Sequence, residues 1–242
     1  MQLFITEYIK KSNNIVIENS DLLSQLRKVL RASIGDIIWI QSPENESKKT
    51  RYEVRITAWD NKIVEWSIVS EQSNAITSPK TSMIIAMPNK WDKAELIVQK
   101  LAECGLSQIV FWPSERSIIR ERNPKKSERL DKIIKEAVEQ SRWRHIPMIT
   151  FATDITKYLE NNEVIVFDKT ETGCREQGAS SNTKSQRLTT KVWIVGPEGW
   201  LTKKDYEAFG KYNPEIVSLG ATVLRMETAA IVGGWLLKND VQ

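Results

Sequence analysis

Arg225, Glu227 and Thr228 stand in the stretch LGATVLRMETAA, Leu219 to Ala230, which places two opposite charges and a hydroxyl within four residues. A positioned cation stabilises a developing anion, and a carboxylate beside it either orients that cation or accepts a proton. The stretch follows EIVSL at 215–219, and a second irregular loop, GPEG at Gly196 to Gly199, follows VWIV at 192–195. Both apolar runs have the length and residue types of a buried strand. In open α/β sheets ligands sit outside the carboxyl ends of the strands, so two polar loops in that position form a pocket rim. Beyond the second loop AAIVGGWLL begins a very apolar helix.

Other chemistries lack their residues. His145 is the single histidine, so no multi-histidine metal cluster can be built. A Ser-His-Asp triad would have to use it, in an Arg-rich stretch before Pro147, and it is expected on the surface or facing a nucleic acid. Cys104 and Cys174 are the only thiols, too few for a disulfide framework or a four-cysteine zinc site. No metal is expected. Neither G-x-G-x-x-G nor G-x-x-x-x-G-K-[ST] occurs, which removes the main support for dinucleotide and P-loop readings.

The elements that must position these loops follow from periodicity. Residues 1–70 read as a small β-barrel: QLFITE, NIVIE, DIIWIQ, RYEVRITAW and KIVEWSIVS are short and rich in β-branched and aromatic residues. Between them 21–31 predicts a helix with Leu22, Leu23, Leu26, Val29 and Leu30 on one face, capped by Asp21 or Ser20. Residues 71–82 are polar, contain a proline and read as a linker. Residues 83–242 read as an α/β layer with a parallel sheet. MIIAM, QIVFW, MITF, VIVFD and VWIV are its strands. A helix from Lys90 to Cys104 turns Ala94, Ile97, Val98, Leu101 and Ala102 inward and closes at Gly105; a second opens at Asn123-Pro124 with Leu130, Ile133, Ile134, Ala137 and Val138 on its core face. A short helix is expected around Ile155 to Leu159, and Thr202 with Asp205 predicts a capping box for one ending at Gly210. The polar stretch 170–190 reads as a mobile loop.

Composition places the chain among soluble globular proteins: 242 residues, 40% hydrophobic and 27% charged. No apolar run approaches a membrane span and MQLFITEYIKK lacks a signal-peptide core, so no membrane partner and a cytoplasmic location are expected. The net charge is +4, and the segment from Ser114 to His145 alone carries ten Lys/Arg against six acids, the whole excess. Such a stripe suits a polyphosphate partner, or else a solvated helix face with pairs such as Glu128–Lys132 and Asp131–Lys135.

GPEG followed about twenty residues later by LG-x-x-x-LR-x-ETA resembles the C-terminal signature of the SPOUT-superfamily methyltransferases that methylate N3 of a uridine in bacterial 16S ribosomal RNA. KWDKAELIVQKLAECGL, PSERSIIRERN and KEAVEQSRWRHIP match the same family in order. The resemblance implies a trefoil-knotted C-terminal sheet holding S-adenosylmethionine, an N-terminal PUA-like RNA-binding barrel, and a homodimer acting on 16S rRNA of the small ribosomal subunit. It implies a cofactor site made of Asp168, Val195, Gly196, Pro197, Glu198, Gly199, Leu219, Gly220, Leu224, Thr228 and Ala229. Removing the N3 proton of uridine puts negative charge on O2 and O4, which assigns Arg225 as the stabilising cation, with Glu227 orienting it or taking the proton. Arg27, Arg31, Lys90, Arg116, Arg120, Arg122, Arg142 and Arg144 are the RNA-contact candidates. The alternative is an RNA-binding protein of the same fold without transferase activity. Two departures stand out: Gln25 where the family usually has histidine, and Trp200 where GPEG usually continues with glycine. Tryptophan resists a glycine-only conformation, so either Trp200 is conformationally ordinary, with a packing role expected over base stacking, or the pocket differs.

Overall fold

The computed structural model describes residues 2–43, 49–60, 62–74, 81–143, 145–168 and 191–240. The chain divides into two units, Met1–Thr77 with Val138–Arg144, and Ser78–Ala137 with His145–Gln242.

Period-2 alternation builds the first unit. Its strands are β1 (Leu3–Ile5), β2 (Ile9–Lys11), β3 (Asn14–Ile17), β4 (Ile37–Gln41), β5 (Lys49–Trp59) and β6 (Val64–Asn74), in the order β1-β4-β5-β6-β3-β2. Tyr52, Val54 and Ile56 on β5, with Val64 and Trp66 on β6, point to one face and are buried with Leu22, Leu23 and Leu26. β2 is an exposed edge strand that the alternation in the sequence does not announce. β6 runs to Asn74, paired with Lys49, so 71–74 belong to the sheet instead of the expected linker. Residues 75–80 of that linker lie outside the described residues.

The helix expected over 21–31 differs in three ways. α1 spans Ser20–Ser24 and its cap is Asn19, whose Oδ1 accepts from the backbone N–H of Asp21 and of Leu22, both at 3.0 Å. A π turn follows over Gln25–Val29, where Leu30 N–H reaches Gln25 O at 3.0 Å. The wider i→i+5 turn carries Val29 off the apolar stripe, leaving it 72% exposed.

The second unit is a parallel sheet with helices. β7 (Ser82–Ala86), α2 (Trp91–Cys104), β8 (Gln108–Trp112), α3 (Pro124–Ser141, counted with this unit as far as Ala137), β9 (Met148–Phe151), α4 (Thr156–Leu159), β10 (Glu163–Phe167), β11 (Lys191–Val195), α5 (Lys203–Gly210), β12 (Glu215–Val217) and α6 (Met226–Asp240) follow in order. The strand order is β12-β10-β11-β7-β8-β9, every pair parallel. All five inward positions of α2 are fully buried, and Gly105 closes it at φ 81. β12 corrects an expectation: it is a three-residue edge strand, paired only with β10 among the described residues, and Ile216 is 44% exposed where a buried strand was expected. The Glu128–Lys132 and Asp131–Lys135 pairs are absent among the described residues; the ion pair formed is Arg129 to Glu95 at 2.7 Å. The 170–190 stretch, with Cys174, lies outside the described residues.

Candidate functional site

Because the sheet is parallel, β10, β11 and β12 all end on one side, with Phe167 in register with both Val195 and Val217. Asp168, the GPEG turn and 218–225 therefore leave the sheet together. They line two adjoining hollows, of which the larger, about 430 Å³, falls within the range of small-molecule sites. Phe167, Asp168, Trp200, Val223, Leu224 and Ala229 line both. The smaller adds Leu219 and Gly220; the larger adds Lys93, Val195, Gly196, Pro197, Glu198 and Arg225. Glu227, Gly199 and Thr228 are on neither wall.

Backbone geometry shapes the rim. Gly220 has φ 128, a conformation that side chains resist. Trp200 has φ 68, with its N–H closing the GPEG turn on Pro197 O at 3.0 Å. The position thus demands the left-handed region, and the conformationally ordinary alternative is overturned. Nor is the indole packed away, since Trp200 is 44% exposed.

The charged groups are arranged differently from the sequence reading. Arg225 is exposed and makes no ion pair with Glu227 among the described residues, because residues two apart at a helix start do not face one another. Glu227 faces Lys93 instead, Oε2 lying 3.7 Å from Nζ. The same ammonium donates to Glu198 Oε1 at 2.8 Å, and Asn89 N–H reaches that oxygen at 3.3 Å. The Glu198 hydrogen bond, against a smaller opposing effect of burial, holds Lys93 above the ordinary lysine range. Burial pushes the Glu198 carboxyl up, but the Lys93 ammonium and the backbone N–H groups of Glu198 and Asn89 together outweigh it and hold the carboxyl below its ordinary value. Sequence reasoning picked Lys90 from KWDK and missed Lys93, since only the fold brings it to Glu198. It also missed Tyr206, whose hydroxyl donates to Asp168 Oδ2; burial first, then Asp168, pushes the phenol well above its ordinary value.

The RNA-contact candidates are all exposed, apart from Arg144, which lies outside the described residues. Several are engaged within the chain. Arg27 lies over Trp59, 5.3 Å to the ring centroid, and donates to Asp60 O. Arg116 donates to Gly199 O and Arg120 to Glu115 O, while Arg122 donates to Ser127 Oγ at 3.0 Å. Arg31 and Arg142 adopt φ 50 and 55. His145 is half-buried, and Cys104 ends α2 with its thiol pushed up by burial. Among the described residues no acidic, histidine and cysteine cluster could hold a metal, and no helix is long and apolar enough to cross a membrane.

A family model for an RNA methyltransferase domain matches residues 77–237. A Rickettsia conorii protein named ribosomal RNA small subunit methyltransferase E is 33% identical over 147 residues, 59% of this chain and 57% of the relative. The Bacillus subtilis protein of the same name is 28% identical over 178 residues, 70% of this chain and 68% of the relative. The match to the first thus spans less than two thirds of its length. The crystal structure of the Neisseria gonorrhoeae protein of that name, bound to S-adenosyl methionine, superposes with a TM-score of 0.74 at 22% identity, covering 99% of this chain and 97% of that one.

Proposed function

The chain belongs to the RNA methyltransferase family, and from that premise we propose that it transfers a methyl group from S-adenosylmethionine to N3 of a uridine in 16S rRNA of the small ribosomal subunit. The observation that carries this reading is the pair of hollows at the carboxyl ends of β10, β11 and β12, which remain open with Trp200 in place. Their chemistry fits the cofactor: Val195, Leu219 and Leu224 offer apolar surface to an adenine, and Asp168 and Glu198 offer carboxylates to its cationic end. The named relatives and the cofactor-bound neighbour support the same reading.

The cofactor supplies a methyl group on a sulfonium that leaves as a neutral thioether, so the chemistry needs no metal. The protein's part is to manage charge on the base. Arg225, exposed on the wall of the larger hollow and unpaired with Glu227, stabilises the negative charge on uracil O2 and O4 as N3 gives up its proton to solvent water. Glu227 makes no ion pair with Arg225 among the described residues, lies 3.7 Å from the Lys93 ammonium and does not line the hollow, so neither orientation of Arg225 nor direct proton transfer is assigned to it. We assign the phosphate contacts to Arg27, Arg31, Lys90, Arg120, Arg122, Arg142 and Arg144, and give Arg116 to the GPEG turn. The mixed six-stranded sheet is proposed to be the PUA-like barrel, the C-terminal strands the trefoil knot, and the assembly a cytoplasmic homodimer.

The test is transfer from labelled S-adenosylmethionine to small subunits lacking the modification, with digested nucleosides identified by mass spectrometry. Appearance of 3-methyluridine is expected. No transfer to subunits, naked 16S rRNA or tRNA, with no cofactor binding in calorimetry, would sink the reading in favour of an RNA-binding protein without transferase activity.

A further inference from the structure

We propose that Lys93 is a positioning residue of the transfer reaction, bridging the GPEG turn and the start of α6 so that the two walls of the cofactor hollow are held at a fixed separation. The inference deepens the transferase reading and rests on it.

Three observations carry it. First, one ammonium serves two carboxylates, Glu198 of the GPEG turn at 2.8 Å and Glu227 at the start of α6 at 3.7 Å, and these lie 105 and 134 positions along the chain from it. Lys93 itself lines the larger hollow, so the bridge is part of its wall.

Second, the residue sits in the first turn of α2, at the end where the helix dipole disfavours a cation. Lys90, the N-cap, makes no side-chain cap that would compensate. Helix stability alone would put an acid at position 93, so the lysine is accounted for by what it reaches.

Third, two acceptors of the cluster are left without a donor. Glu227 Oε2 and Asn89 Oδ1 are enclosed and lack a hydrogen-bond partner, and both belong to groups gathered about Lys93 and Glu198. A buried carboxylate oxygen is tolerated only with a cation close by. Remove the ammonium, and Glu198 and Glu227 face one another with no charge between them. Repulsion then moves the GPEG turn away from the start of α6, which also carries Arg225. Lys93 thus acts through the loops and is not assigned contact with the reacting atoms.

The experiment measures cofactor binding by calorimetry, methyl transfer under saturating subunits and thermal unfolding, for the wild-type chain, Lys93→Gln, Lys93→Arg and Lys93→Gln/Glu227→Gln. Lys93→Gln is expected to weaken cofactor binding by about tenfold or more, the scale of a charge-assisted hydrogen bond. The rise in cofactor KM should exceed the fall in kcat at saturating cofactor. Lys93→Arg should recover most of the affinity, and the double variant should bind better than Lys93→Gln because it removes the stranded carboxylate charge. Cofactor affinity unchanged in folded Lys93→Gln overturns the proposal, as does a double variant no better than the single one. Should Lys93→Gln fail to fold, Lys93→Arg decides: affinity within about threefold of wild type supports the bridge, and a tenfold loss overturns it. A wild-type chain that neither binds cofactor nor transfers methyl removes the transferase reading and the proposal with it, whereas a defect confined to the variants separates the two.

Discussion

Gly233 of α6 lies against the ring of Phe167: a Cβ built on Gly233 would come 2.3 Å from Phe167 Cε2. Phe167 is itself a wall of both hollows, so helix packing and cavity shape meet at one contact. Gly233→Ala gains roughly 1 kcal/mol of helix propensity, but forcing a rigid ring aside in a packed core costs about 1–3 kcal/mol. Net destabilisation is expected, with a lower Tm and weaker cofactor binding. Gly234 meets the end of a flexible side chain, Leu101 Cδ2 at 2.3 Å, so Gly234→Ala should be milder. Equal Tm values for the two variants would contradict this account.

Trp200→Gly pits two terms against each other. Relief of the left-handed conformation at φ 68 is worth roughly 1–2 kcal/mol, while glycine returns about 0.4–1 kcal/mol of entropy to the unfolded chain and loses the indole's contacts. The sum is close to zero, so unfolding in denaturant should shift by less than about 1 kcal/mol. Binding should change more, because Trp200 lines both hollows. Calorimetry on the variant is expected to show cofactor affinity several-fold weaker; unchanged affinity with a large stability loss would make Trp200 a packing residue.

Asp205 ties the start of α5 to the loop after β8 with one carboxylate. It is 3% exposed, accepts from Thr202 N–H at 2.9 Å and Thr202 Oγ1 at 3.0 Å, and takes Glu115 N–H at 2.9 Å from the loop after β8. Asp205→Ala loses a capping box worth about 0.5–2 kcal/mol and strands donors at about 1–3 kcal/mol. A loss of roughly 2–4 kcal/mol in chemical denaturation is expected, against a smaller one for Asp205→Asn, which keeps an acceptor. If both cost the same, the carboxylate geometry is not what matters.

How much of this was legible depends on the reach of the interaction. The capping box and the five buried positions of α2 are local, and spacing alone disclosed them. The π turn was not, because a single wider turn leaves the residue types unchanged while moving Val29 out of the core. β12 failed for another reason: EIVSL has strand composition, yet edge position is a property of topology. The loops at Gly196 and Gly220 were found from motif, and their meeting from strand direction. Lys93 with Glu198, Tyr206 with Asp168 and Arg116 with Gly199 were invisible, since each joins residues distant in the chain.

The Glu198 carboxyl gives a pH dependence. Its folded value is depressed below the ordinary glutamate value of about 4.3, so the ionised form is favoured by the fold. Its contribution is complete at neutral pH, above the unfolded value, and is lost as pH falls through the lower folded value. Cofactor binding in wild type should therefore hold until the pH has fallen below the ordinary glutamate range, where this group fails. In Lys93→Gln burial opposes ionisation with less to offset it, so the acid limb should move to higher pH. Calorimetric titrations between about pH 4 and 8 would show it; superimposable limbs would count against the coupling.

Val232, Trp235 and Leu236 follow i, i+3, i+4 spacing on α6 and are 37%, 59% and 43% exposed in the single chain. The helix is very apolar in sequence, yet within the chain its buried residues are Met226, Ala230, Gly233, Gly234 and Leu237. An apolar face of this kind matches a subunit interface, where burying an aromatic side chain removes about 150–250 Å² from water. At about 25 cal/mol per Å², one tryptophan per subunit supplies several kcal/mol to a two-fold dimer, enough for micromolar association with its neighbours. If the proposed homodimer forms through this face, the wild-type chain should sediment as a dimer at micromolar concentration and Trp235→Glu as a monomer. Leu96 of α2, 40% exposed, is a control: should Leu96→Glu dissociate the dimer and Trp235→Glu leave it intact, the interface is not the α6 face.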